Sequence, residues 1–235
     1  MDPRASRSDG IARTGALSER SESAADSALG STTEPDEEAL WAEVPVERVR
    51  LGGVTRHEEG CDLVWSIADG RRGRRWREAC ARLGRVWAAR VLESGPEGRF
   101  SRLEVASPSG LLTLHPSEDG RTLYGNAVTP SGMRHVALPW GDAHRILVAG
   151  SVASVAIACR HLETVIQPGG ATVFRGVGVD AELRAGEGSV RIERTGLTAW
   201  RVSVATVGVA VVAEIDERGV PLGGTTWSLE ASSGA

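Results

Sequence analysis

The feature that most constrains this chain is a rhythm of turn signals. Gly95-Pro96-Glu97-Gly98, Ser107-Pro108-Ser109-Gly110, Ser117-Glu118-Asp119-Gly120 and Thr129-Pro130-Ser131-Gly132 follow one another about ten to fourteen residues apart. Pro168-Gly169-Gly170, Gly186-Glu187-Gly188 and Glu217-Arg218-Gly219 continue the punctuation. Each supplies residues that tolerate turn dihedrals. Between the turns the text alternates: Leu103 and Val105 against Arg102 and Glu104, Leu112 and Leu114 against Thr113 and His115, Val190 and Ile192 against Arg191 and Glu193. Trp200, Val202 and Val204 oppose Arg201 and Ser203 in the same way. One apolar and one polar face per strand predicts a mainly β fold, an antiparallel meander wet on one side.

Two segments depart from this period. Trp76, Cys80, Leu83, Trp87 and Val91 are spaced like a helix stripe, but Gly84 sits among them, and a helix interior loses about 1 kcal/mol to glycine relative to alanine. A hairpin bending at Leu83-Gly84-Arg85 is the favoured reading of residues 71–93. Residues 151–162, SVASVAIACRHL, fit a short helix or a buried strand equally well.

The charge balance sets the domain boundary. Residues 1–44 hold ten acids against four arginines and no periodic apolar pattern, a composition that predicts a disordered acidic tail. Residues 45–235 are then a single antiparallel β domain, near neutral and long enough to bury a core. No apolar run approaches the roughly 20 residues that cross a bilayer, and the first residues lack the apolar stretch of a secretory signal, so a cytoplasmic address without a membrane span is expected. Cys61, Cys80 and Cys159 are odd in number and form no CxxC pair, which predicts buried thiols in place of a disulfide or a zinc site.

All 27 basic residues are arginine. A Schiff-base lysine, a P-loop lysine and a lysine general base are therefore excluded. Nor does the chain contain a GxSxG elbow, an HExxH helix, a GxGxxG turn or an EF-hand loop. No cofactor and no metal is implied. A general base could still be built from His115 or His135 on adjacent predicted strands, with Asp119 or Asp142 as its carboxylate.

Residues 71–90 carry eight arginines against one acid, Glu78. Trp76 and Trp87 are interleaved with them, a combination that could neutralise phosphates and stack bases. The nearly neutral balance of residues 45–235 and the lack of a nucleic-acid motif make nucleic acid the lesser reading. A solvated strand face is the simpler one. Between them lies an anionic head group held at a pocket mouth, for which Arg75 and Arg77 are the candidates. The block from Leu111 to Val148 adds Tyr124, the only tyrosine, and Trp140, each able to rim a pocket; Trp140 could equally plug the end of a sheet.

The order of a Trp-bearing Arg-rich segment, RFSRLEV, LLTLHPSEDGRTL, LPWGDAHRILV and Cys159-Arg160-His161-Leu162 resembles the layout of the bacterial glycolipid-binding proteins. The run VAVVAEIDERGVPLGGTTWSLE resembles the closing strands of lipoprotein-carrier-like domains. The resemblance covers residues 61–230, lacks the family's central aspartate and threonine-proline segment, and transfers no residue roles. It implies a strongly curved antiparallel sheet rolled into an open barrel or half-barrel, with a cavity suited to an apolar chain.

The expectation is a non-catalytic module for a lipid-like or amphiphilic small molecule, with Trp76, Trp87, Tyr124 and Trp140 lining its cavity and Arg75 or Arg77 at the mouth. The alternatives are a cyclase, isomerase or hydrolase using the histidine–carboxylate pair, and a protein-interaction scaffold or nucleic-acid binder using the arginine face. The pattern leaves open whether strands pair across a homodimer.

Overall fold

The computed structural model describes residues 50–56 and 61–228, so the expected tail at residues 1–44 lies outside the described residues. The described residues are mostly strand, in two sheets. The larger is a nine-stranded meander curled into a half-barrel. Its strands are β1 (Arg50–Arg56), β2 (Asp62–Gly70), β3 (Gly73–Arg82), β4 (Arg85–Ser94), β5 (Phe100–Ser107), β6 (Gly110–Pro116), β7 (Thr122–Thr129) and β8 (Gly132–Pro139), closed at the β1 edge by β14 (Gly224–Ser228). The smaller sheet runs in the order β13-β12-β11-β10-β9, from β9 (Arg145–Val148), β10 (Ala171–Val179), β11 (Ala185–Arg194), β12 (Ala199–Val204) and β13 (Val209–Glu214). Every pair of strands is antiparallel except β9 with β10.

The expected hairpin over residues 71–93 is β3–β4. Arg82 faces Arg85 across a two-residue bend, Leu83 and Gly84, both at positive φ (50° and 72°), as the turns that match strand twist require. The Ser-Pro-Ser-Gly and Thr-Pro-Ser-Gly signals become the β5–β6 and β7–β8 hairpins, with Ser107 facing Gly110 and Thr129 facing Gly132. Proline at the second position and glycine at the fourth suit such bends.

The ambiguous apolar run resolves as α1 (Val152–Cys159), all eight residues buried. A helix without a polar face cannot show amphipathic spacing, and it can form only where protein surrounds it. It packs against β9, β12 and β13 of one sheet and β3 and β4 of the other. Leu92, Leu103, Leu112, Leu114 and Leu123 from the large sheet share one core with Ile146, Val155, Val190, Ile192 and Val202. The buried face of the half-barrel is thus filled by the second sheet and α1, and it is not the open cavity expected from the resemblance. No helix among the described residues is long and apolar enough to cross a membrane.

One further expectation is corrected. Cys61 and Cys80 are joined in a disulfide, with Cα atoms 6.1 Å apart, and only Cys159 is a free, buried thiol. The strand register brings the two together: Asp62 faces Ala81, so the residues preceding each are diagonal neighbours. Counting cysteines could not show this, because the odd member is the one sealed in α1.

Candidate functional site

A cleft with a volume of about 590 Å³ opens where the C-terminal end of α1 meets β3, the end of β4 and the β12–β13 region. Such a volume is in the range of small-molecule pockets. Its apolar wall is built from Trp76, Trp200, Ala156, Ile157 and Ile215. Both indoles are almost wholly buried, and each lies beneath a guanidinium: Arg74 is 5.8 Å from the Trp76 ring and Arg194 is 5.4 Å from the Trp200 ring.

Those two arginines are already committed. Arg74 grips Asp69 through Nε (2.6 Å) and Nη2 (2.8 Å) and donates from Nη1 to the carbonyl of Arg218. Arg194 donates to the carbonyls of Glu163 (2.8 Å), Ile166 (2.9 Å) and Leu197 (2.7 Å), tying the α1–β10 connection to β11. They shape the wall and offer little to a ligand.

Arg160 is different. It follows α1 directly, and its stem packs over Gly98, where a β-carbon would come within 2.7 Å of the Arg160 side chain. Among the described residues its guanidinium has neither a hydrogen bond nor an ion pair. Burial and the neighbouring Arg74 charge lower its pKa, against the weaker pull of Asp69 and Glu163. Arg160 also borders a second cleft of about 290 Å³ and a third beside Arg71 and Gly95. A half-buried cation at the meeting of three clefts, repelled by its neighbour, is a place where an anion lowers the energy.

Two further groups complete the site. Ser94, 2% exposed at the inner end of β4, lines the large cleft, and its hydroxyl is buried without a protein partner. Cys159 lines it too, but burial raises its thiol pKa, the opposite of the lowered value that a nucleophilic thiol needs.

The residues expected to bind ligand separate. Trp76 is in the cleft wall. Trp140 borders the second cleft, packed edge-on to Phe100 (centroids 5.5 Å) and tilted against His144 (5.5 Å), so it is both rim and plug. Trp87 and Tyr124 stand 61% and 46% exposed on outer surfaces. Arg75 and Arg77 point away from Trp76 on the exposed side of β3, Arg75 to Glu93 at 2.5 Å.

The four candidate catalytic residues are not assembled into a unit. β7 lies between the strands of His115 and His135, so those strands are not adjacent as expected. Exposed His115 faces Tyr124 across the β6–β7 register, and its ring nitrogen lies 3.2 Å from the Pro116 carbonyl. His135 shares a 2.6 Å hydrogen bond with Asn126. Asp119 accepts from the Ser117 hydroxyl (2.5 Å) and the Arg121 amide (3.0 Å), bonds that lower its pKa within the turn. Asp142 pairs with Arg99 at 3.1 Å.

Arg160, Ser94 and Trp200 were not among the sequence candidates. The usable signal was Arg160-His161, polar residues placed immediately after the octet Val152–Cys159, which has no wet face. Glu78 was the other, the lone acid among eight arginines. It is fully buried and receives the Ser151 hydroxyl (2.6 Å) and the Ala153 amide (2.7 Å) at the start of α1.

No protein-family model and no curated protein matches the chain. Among solved structures it is similar to a DUF1089 family protein from Pseudomonas aeruginosa, at 17% identity and a TM-score of 0.40, over 74% of this chain and 87% of that one. That likeness assigns neither a family nor a ligand.

Proposed function

We propose that the protein is a non-catalytic binding module for an amphiphilic small molecule, its apolar part against Trp76, Trp200 and Ile157 and its anionic head at Arg160. The observation that carries the reading is the half-buried Arg160 guanidinium, without an ion pair among the described residues, beside an indole-walled cleft that also holds the buried Ser94 hydroxyl, likewise without a partner among them. The cleft holds four arginines against three carboxylates, Glu163, Asp216 and Glu217. Arg74 and Arg194 have protein partners and Arg218 is exposed, so Arg160 is the half-buried arginine left to take the head group. The Cys61–Cys80 bond favours an oxidising compartment over the cytoplasm expected from the sequence.

The test is a titration followed by intrinsic tryptophan fluorescence, using dodecyl phosphate and dodecanol, which share a chain and differ in the head. Saturable quenching by the phosphate, with weaker binding of the alcohol, is the expected result. Failure of both to bind the folded protein sinks the reading, and equal binding of both removes Arg160 from it.

A further inference from the structure

We propose that the tip of the β3–β4 hairpin is a docking element for an anionic lipid surface. The proposal stands independently of the cleft. Leu83, Val86 and Trp87 are 96%, 67% and 61% exposed, three large apolar side chains within five residues. Soluble surfaces carry such residues singly, and a cluster of them marks an interaction site.

The backbone presents this cluster. β4 pairs with β5 only from Ala89 opposite Ala106, so Arg85–Ala88 stand beyond the neighbouring strand. On the other side the register slips between Cys80 and Ala81, whose partners are Ala88 and Val86, leaving Trp87 as the extra residue of a β-bulge. A bulge bends the strand and re-aims the side chain it carries. The disulfide at Cys80 anchors the base of the projection to β2, so the tip is braced.

Its chemistry selects the partner. Residues 82–87, RLGRVW, contain exposed Arg82 and Arg85 and no acid. Asp62 faces Ala81, just below the tip. Tryptophan prefers the head-group layer, leucine and valine the acyl boundary beneath it, and arginine the anionic surface. The same end of the sheet carries a second apolar row on adjacent strands, Leu111 opposite Val128 opposite Met133, 45%, 48% and 61% exposed. A neutral or cationic surface would leave the arginines without a role.

The experiment is cosedimentation of the full chain with vesicles of phosphatidylcholine alone or mixed with phosphatidylglycerol. Binding to the mixed vesicles, weakened by salt, is expected. L83N/W87S places asparagine where the backbone is left-handed and should weaken binding about tenfold or more. R82Q/R85Q should weaken it about thirtyfold, the loss of two surface charges. R160Q should leave vesicle binding unchanged, and L83N/W87S should leave dodecyl phosphate binding unchanged, so tip and cleft fail separately. The proposal is overturned if the folded chain ignores both vesicle types, if L83N/W87S binds them as wild type does, or if the tip variants alter only self-association in the centrifuge.

Discussion

The Glu78 carboxylate of β3 accepts the hydroxyl of Ser151, 73 residues away in sequence, at 2.6 Å, while its other oxygen takes the Ala153 amide at 2.7 Å. Ser151 in turn caps α1 by accepting from the Ser154 amide at 3.1 Å. One buried acid therefore satisfies a helix start that water cannot reach and fastens it to the large sheet. Arg90, on the strand facing Glu78, donates to the carbonyl of Ala149 at 2.9 Å and supplies the compensating charge.

Removing this acceptor should be costly. E78A leaves a buried hydroxyl and a buried amide without a partner, and a loss of about 3 kcal/mol in urea denaturation is expected. A loss below about 1 kcal/mol would show that α1 is held by packing alone.

The same carboxyl has a pH signature. Burial raises its pKa above the ordinary 4.5, against Arg90 and the hydrogen bonds, which pull it down. The folded chain thus holds this proton more tightly than the unfolded chain, and the group's contribution to stability falls as pH rises from 4.5 through the raised value. E78Q, which cannot ionise, should flatten that slope in denaturation curves at stepped pH; identical slopes for variant and wild type would contradict the assignment.

The disulfide gives a thiol count. Denatured without reductant, the chain should expose one titratable thiol, Cys159, and after reduction three. Closing a 19-residue span, the bond should contribute about 3 kcal/mol, measured as the stability lost in C61S/C80S. Three thiols before reduction would remove it.

Much of the sheet could be read from the sequence because its turns are chemically explicit. Ser-Pro-Ser-Gly and Thr-Pro-Ser-Gly name their bends, and Leu103, Leu112 and Leu123 sit on the inward face that alternation requires. α1 was ambiguous for a physical reason: a helix buried on every side has no polar stripe to betray its period. The cleft was less legible still. Trp76 and Trp200 meet through packing of two sheets across 124 residues of sequence, and no local pattern encodes that distance. Trp76 shares the inward face of β3 with Glu78 and Cys80, whereas Trp87 falls on the face of β4 opposite buried Ala88 and Leu92.

Turn chemistry also makes a steric prediction. At Gly110, φ is 130° and a β-carbon would come within 2.0 Å of the Val128 carbonyl. G110A should therefore destabilise the chain by about 2 kcal/mol in urea, with thermal melting shifted down accordingly. An unchanged midpoint would mean that β6 and β7 can separate at this corner without loss.

The most direct test of the binding account is calorimetric titration of dodecyl phosphate into wild type and R160Q. Arg160 makes no hydrogen bond or ion pair among the described residues, and glutamine keeps much of its stem, so R160Q should melt near the wild-type temperature. Its affinity should fall about tenfold to a hundredfold, the loss expected for a charged hydrogen bond. Wild-type affinity in a fully folded R160Q, or no heat of binding in wild type itself, would contradict the account.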